Sequence, residues 1–240
     1  MSNLILVRHG QSLWNKERRF TGWADIDLTD LGKQEAELAG KLIKELNIDF
    51  NTSFTSVQKR AIKTLSIMLN VLNDPNIKIN KAWELNERHY GSLTGLNKDE
   101  MIKKHGNKKV NIWRRSFNVP PPPMQPSSIY HPSKNSIYAD IPIDKIPNSE
   151  SLESTFKRVV PYYEKKIKPL LLSNKNILIS AHGNSLRALC KKIFNISNNK
   201  IMDFEVPTGN PLLVVFDKDL VLKKYKYLDA KRAKKILSNT

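Results

Sequence analysis

Leu4-Ile5-Leu6-Val7 runs without a break into Arg8-His9-Gly10, and far along the chain Ile177-Leu178-Ile179-Ser180 runs into Ala181-His182-Gly183-Asn184. Each apolar run is too short for a helix and lacks polar alternation, so each reads as a strand covered on both faces. Each strand ends in His-Gly, and helix-period sequence (185–194) follows the second directly. In open α/β sheets ligands bind beyond the carboxyl ends of the strands. The two runs therefore predict both the fold and the place of its site.

The rest of the chain keeps the same alternation. Residues 33–46 carry Ala36, Ala39, Leu42, Ile43 and Leu46 at helical spacing, after a Thr29-Asp30-Leu31-Gly32 start signal. Residues 57–72 place Ala61, Leu65, Met68, Leu69 and Leu72 on one face, with Asp74-Pro75 as the stop. Strands are expected at 49–54 and 76–80, a long helix over 150–171, and a closing hairpin of 211–216 and 221–227 around Asp217-Lys218-Asp219. The pattern predicts a three-layer α/β domain over 1–240, with a mostly parallel sheet and helices on both faces. Only 91–147 breaks it, with Pro120-Pro121-Pro122-Pro123, Pro126, Pro132, Pro142 and Pro147. Such a stretch is neither a central strand nor a long helix. It reads as an excursion over the sheet's functional edge rather than a second domain.

Composition narrows the class. With 40% hydrophobic and 26% charged residues the chain is globular rather than disordered. The start shows no basic, apolar leader, so the cytoplasm is the expected location and no membrane partner is expected. Cys190, the one cysteine, lies among Leu186, Ala188 and Leu189 and reads as a packed core thiol. The formal net charge of +17 fits either a nucleic-acid binder or an enzyme for small polyanions. Lysines are spread along the whole chain; the dense cluster from Lys223-Lys224-Tyr225-Lys226 to Lys231-Arg232-Lys234-Lys235 reads as a solvated helix or tail. No nucleic-acid partner is expected.

Two histidines after two strands suit phosphoryl transfer. A neutral imidazole is a good nucleophile near neutral pH, with an ordinary pKa of about 6.5. A second histidine facing the first can donate to the equatorial oxygens as charge shifts. Arg8 supplies a planar fork for phosphate oxygens, and a helix starting near Asn184 would turn N–H groups toward an anion. Glu87, after the strand-like run ending at Leu85, is the candidate general acid and base. Arg60, Lys98 and the pair Arg114-Arg115 add fixed positive charge. His105 and His131 lie in polar loop contexts without an assigned role. No metal cluster is visible, and none is expected.

The string Arg8-His9-Gly10-Gln11-Ser12-Leu13-Trp14-Asn15, followed by Phe20-Thr21-Gly22-Trp23, resembles the histidine phosphatase superfamily, and within it the 2,3-bisphosphoglycerate-dependent phosphoglycerate mutases. Asn86-Glu87-Arg88-His89-Tyr90-Gly91, Gly95-Leu96-Asn97-Lys98, Trp113-Arg114-Arg115-Ser116, the run from Ala181 to Arg187 and Pro207-Thr208-Gly209 match in order. The resemblance implies that His9 is phosphorylated, that His182 stabilises the transferring group and that Arg8 and Arg60 clamp it, with Glu87 moving the proton. It implies that Ser12, Asn15, Thr21, Gly22, Arg60, Arg88, Tyr90, Lys98, Arg114, Arg115, Gly183 and Asn184 hold the substrate. The reaction implied is interconversion of 3-phosphoglycerate and 2-phosphoglycerate in glycolysis and gluconeogenesis, primed by 2,3-bisphosphoglycerate. The excursion would be a lid, and the chain a homodimer or homotetramer.

Three features depart from the pattern. Gln11 replaces the usual Glu, Glu84 lies near Glu87 where it can raise that group's pKa, and the end at Lys234-Lys235-Ile236-Leu237 lacks the usual glycine-containing tail. If that tail covers the site, phosphoryl would leak to water. The rivals are a broader phosphatase, a bisphosphoglycerate synthase (Gly22 stands where the synthases carry a bulkier residue), a dead binding module and a nucleic-acid protein.

Overall fold

The computed structural model describes residues 1–234. Six strands make one sheet: β1 (Ser2–Arg8), β2 (Thr52–Thr55), β3 (Ile79–Lys81), β4 (Ile177–Ala181), β5 (Leu212–Phe216) and β6 (Leu222–Tyr227). Their order across the sheet is β3-β2-β4-β1-β5-β6. The pairs β1–β4, β2–β4 and β2–β3 are parallel; β1–β5 and the closing hairpin β5–β6 are antiparallel.

The apolar runs are continuous because β1 and β4 are covered on both faces. Leu4, Leu6, Ile177 and Ile179 pack on one side with Val159, Ile167, Leu186 and Leu189. Ile5, Val7 and Leu178 pack on the other with Ala39, Ile43, Leu65 and Met68. Each such side chain contributes about 1.5–3 kcal/mol. Register sets Arg8 opposite Ala181, and His9 N–H donates to Ala181 O at 2.9 Å, so the two His-Gly ends leave the sheet side by side.

A short helix α1 (Leu13–Lys16) follows β1, and α2 (Asp30–Lys44) starts at Thr29, whose side chain accepts from Gly32 N–H. Helix α3 (Lys59–Leu72) stops at Asn73, which takes the left-handed conformation (φ 59°) that asparagine tolerates; the helix has already ended when Asp74-Pro75 is reached. Strand β2 begins at Thr52 and β3 at Ile79, both later than expected, and β3 is a three-residue edge. The long helix over 150–171 is interrupted: α6 (Leu152–Tyr162) widens into a π turn (Tyr163–Ile167) before α7 (Lys168–Leu172). Pro169 has no N–H for the carbonyl one turn back, and the wider turn accommodates it. Cys190 lies fully buried in α8 (Gly183–Ile193).

Two further readings need correction. Residues 83–85, read as strand-like, form a 3-10 turn. Lys223, Lys224 and Lys226 belong to the edge strand β6, Lys231 and Arg232 lie in a 3-10 turn (Ala230–Arg232), and Arg232 is tied down by Asp229 and the carbonyls of Thr208 and Gly209, so the basic cluster up to Lys234 is solvated but is neither one continuous helix nor a loose tail. The expectation for the segment from Lys235 onward lies outside the described residues. Among the described residues no helix is long and apolar enough to cross a membrane.

Residues 91–147 open with a 3-10 turn (Gly91–Leu93) and continue with two short helices, α4 (Lys98–His105) and α5 (Asn107–Arg115), then three more 3-10 turns. His105 therefore ends a helix, where it meets Trp113 edge-on, rather than lying in a loop. Phe20 packs with Leu93, Met101, Val110 and Trp113, and Trp23 packs with Tyr138 and Ile141; these contacts fasten the excursion to the loop after α1. Gly91 is required at its entry: φ is +57°, and a Cβ there would lie 2.0 Å from Pro122 O.

Candidate active site

His9 sits at the tip of β1 with 2% exposure. Its Nδ1 lies 2.7 Å from Gly10 O, which accepts only if Nδ1 carries the proton. That tautomer leaves Nε2 as the acceptor of the ring, and Arg60 Nε–H donates to it at 3.3 Å. Burial, then Arg60 and Arg8, holds the His9 pKa well below 6.5, so the ring is neutral near pH 7. The cost of this arrangement shows at Gly10, whose Cβ would meet Gly32 O at 2.0 Å. The glycine admits a neighbouring backbone rather than a ligand. At Gly183 an added Cβ would stand an ordinary 3.5 Å from Arg8 Cζ.

His182 caps α8, and its ring centre is 5.0 Å from that of His9. Ser56 Oγ is 2.7 Å from its Nε2, while Nδ1 is buried without a partner. Burial and then Arg60 depress its pKa as well. Arg60 is 1% exposed and donates to the carbonyls of Ala24 (2.9 Å) and Gly22 (2.8 Å), which aims its remaining edge at His9. Gly22 reaches that position at φ +54°. Arg8 donates to Val206 O at 3.0 Å, leaving a buried Nε unpaired.

Glu87 Oε1 accepts from the N–H groups of Arg88 (2.7 Å) and Asn184 (3.1 Å), so the α8 N-terminus holds this carboxylate. Asn184 Nδ2 in turn donates to the Tyr90 hydroxyl. Burial favours the neutral phenol of Tyr90, yet Arg88 and Lys98 outweigh it and bring the pKa to about 8. From behind, Arg158 clamps the turn: it donates to the carbonyls of Glu84, Asn86 and Glu87 and to the Glu150 carboxylate.

These groups face a cavity of ≈ 200 Å³. Arg8, His9, Asn15, Thr21, Gly22, Arg60, Glu87, Tyr90, Lys98, Arg114, Arg115, Gly183 and Asn184 line it. Ser12 and Arg88 do not. Ser12 Oγ accepts from Asn15 N–H, and Asn15 Oδ1 accepts from Ser12 N–H, so Ser12 shapes the turn that presents Asn15. Arg88 is fully buried, donates to Arg114 O and lies 4.7 Å over the Tyr90 ring. His182 stands behind the wall, next to His9. Gln11 lies beside Glu35, which accepts from Gln11 N–H at 2.6 Å, and Glu84 lies outside the cavity wall.

Arg19, Phe20, Arg187, Glu205 and Val206 also line the cavity, and Ser56 supports it; the sequence reading did not single them out. Arg187 was detectable, because an arginine between Leu186 and Ala188 on a buried helix needs a partner. It donates to Asn184 Oδ1 (2.8 Å) and the carbonyls of Arg115 and Ile201, and burial lowers its pKa to about 9. Ser56 and Glu205 carry no local signal. The wall thus gathers far more positive than negative charge, with unpaired polar atoms at Arg8 Nε, Thr21 Oγ1 and Arg187 Nε. That arrangement suits a small ligand with several anionic groups. Among the described residues no three His, Cys, Asp or Glu side chains gather as a metal site.

The profile of the Histidine phosphatase superfamily (branch 1) matches residues 4–131. A 2,3-bisphosphoglycerate-dependent phosphoglycerate mutase of Pelagibacter ubique is 52% identical over 99% of both chains. One from Maricaulis maris is 50% identical over 98% of this chain and 97% of its own. Among solved structures, a mycobacterial hydrolase superposes with a TM-score of 0.68 at 16% identity, over 94% of this chain and 95% of its own, a likeness of fold.

Proposed function

The chain belongs to the histidine phosphatase superfamily, among the 2,3-bisphosphoglycerate-dependent phosphoglycerate mutases, and from that premise we propose how its residues interconvert 3-phosphoglycerate and 2-phosphoglycerate. The observation that carries the proposal is His9 itself: Nδ1 is tied to Gly10 O, so the unprotonated Nε2, held only by a 3.3 Å hydrogen bond from Arg60, is the nucleophilic atom on a strongly cationic cavity.

In the proposed cycle phosphorylated His9 gives its phosphoryl group to the C2 hydroxyl of 3-phosphoglycerate. Glu87 takes the hydroxyl proton as the new O–P bond forms and the P–Nε2 bond breaks. Arg8, Arg60 and His182 hold the equatorial oxygens in flight. The resulting bisphosphate turns end for end. His9 Nε2 then attacks the 3-phosphate, and Glu87 returns the proton to the leaving oxygen, releasing 2-phosphoglycerate. In this reading Asn15, Lys98, Arg114 and Arg115 hold the far end of the ligand, with Thr21, Gly22, Tyr90, Gly183 and Asn184 between. Ser12 and Arg88 act through Asn15 and Tyr90. In this reading 2,3-bisphosphoglycerate primes the phosphoenzyme and no metal takes part. The excursion 91–147 keeps water from phosphohistidine, and the setting is cytoplasmic, in a homodimer or homotetramer.

The test is conversion of 3-phosphoglycerate to 2-phosphoglycerate after EDTA treatment, with EDTA removed before a coupling enzyme is added. Turnover stimulated by trace 2,3-bisphosphoglycerate, together with an acid-labile phosphate on His9, is expected. Release of inorganic phosphate without isomerisation would move the chain to the phosphatases.

A further inference from the structure

Two carboxylates line the cavity among the described residues, and they are held very differently. Glu87 is 8% exposed and bonded to two N–H groups. Glu205 has a side chain 43% exposed, and its carboxylate pairs with Arg115 Nη2. That pair stands where the cavity adjoins a second hollow, lined on its far side by Asn111, Met202 and Asp203. The backbone there is fixed: the Tyr227 hydroxyl donates to Glu205 O at 3.2 Å, and Val206 O accepts from Arg8 at 3.0 Å. What can move is the Glu205 side chain. A carboxylate on the rim of a polyanion site has nothing attractive to offer the ligand, but it has a partner in Arg115.

We propose that Glu205 is a specificity-determining residue, the resident counter-anion of Arg115, which the ligand displaces and which penalises a doubly phosphorylated ligand more than a singly phosphorylated one. The inference rests on the reading of the site given above. Displacing Glu205 breaks one half-exposed ion pair, a modest cost common to all ligands. The displaced carboxylate then stays within a Debye length of about 8 Å from the bound anion. A second phosphate adds about −1.5 to −2 charge, so the repulsion grows with phosphorylation. Competition for Arg115 also helps the bisphosphate release its far end, which it must do to turn over.

The test is equilibrium binding of 3-phosphoglycerate and of 2,3-bisphosphoglycerate to the whole chain carrying His9→Ala, which cannot take up the phosphoryl group, with and without Glu205→Gln, at low and high salt. The variant is expected to bind the bisphosphate about 3–10-fold more tightly and the monophosphate about 2-fold at most, with the gap closing in high salt. Should Glu205→Gln not fold, Glu205→Asp keeps the charge, shortens the reach to Arg115, and is expected to shift the ratio less in the same direction. An unchanged ratio overturns the inference. So does weaker binding of both ligands, which would make Glu205 a support that orients Arg115 for them. A chain with Glu205 in place that binds neither ligand would instead sink the proposed function.

Discussion

Replacing Arg158 with alanine leaves the Glu150 carboxylate, whose side chain is 4% exposed, without its cation. It also strips a donor from the carbonyls of Glu84, Asn86 and Glu87. Breaking one half of a buried pair costs about 3–5 kcal/mol. For a chain of this size each kcal/mol lowers the melting temperature by about 2–4 °C, so a fall of roughly 6–20 °C is expected. Urea and thermal unfolding measure it. The sign with pH follows from Glu150: burial pushes its pKa up, but Arg158 outweighs burial and leaves it below the usual carboxylate range. The pair's stabilisation is therefore complete above about pH 4.3 and is lost as pH falls through the lower folded value. In Arg158→Ala that extra acid sensitivity disappears. Adding Glu150→Gln to Arg158→Ala removes the stranded charge and restores part of the loss. A single variant that loses under about 1 kcal/mol, or a double variant no better than the single, would refute the reasoning.

Other outcomes follow from the same geometry. Ser56→Ala removes the partner of His182 Nε2; kcat is expected to fall about 10-fold with KM little changed, as an unsatisfied buried group costs about 1–3 kcal/mol, and steady-state kinetics would show it. Gly10→Ala forces a methyl against Gly32 O and should destabilise by about 1–3 kcal/mol, seen as a lower urea midpoint; an unchanged midpoint would mean that the two backbones part freely. His9 and His182 stay neutral well below 6.5 through burial and Arg60, and burial holds His89 at about 4. The unfolded chain takes up protons at about 6.5 where the folded chain does not, so stability falls as pH drops below that value. Urea midpoints from pH 8 to 5 in phosphate-free buffer test this, and a flat profile would contradict it.

The two strand–His–Gly runs were legible because β1 and β4 are covered on both faces, which leaves an unbroken apolar signal. The adjacency of the two tips was not written in either run; it comes from parallel pairing across most of the chain. The π turn was missed although Pro161 and Pro169 stood in the helical period, because a period reports which face is apolar and not where an N–H is lacking. Ser12 and Arg88 sit close in sequence to cavity residues, yet Ser12 is turned to Asn15, and Arg88 lies buried over the Tyr90 ring with Nη2 on Arg114 O. Proximity along the chain does not say which way a side chain turns. Glu205 shows the converse: an acid two residues after Asp203 and just before Val206-Pro207 looks like surface until the fold brings it to Arg115.

The crowding of cations around the cavity also bears on how the protein is handled. Arg8, Arg60, Lys98, Arg114, Arg115 and Arg187 line one small space, with only Glu87 and Glu205 among its described lining residues to set against them. Any small anion that fills the space relieves that repulsion and binds the folded chain alone, stabilising it by about 2.7 kcal/mol at a hundredfold excess over its dissociation constant. Phosphate, sulfate or citrate in a storage buffer would then act as a folding additive and as an inhibitor at once. A preparation that looks robust in such a buffer owes part of its shelf life to the salt, and loses it on dialysis.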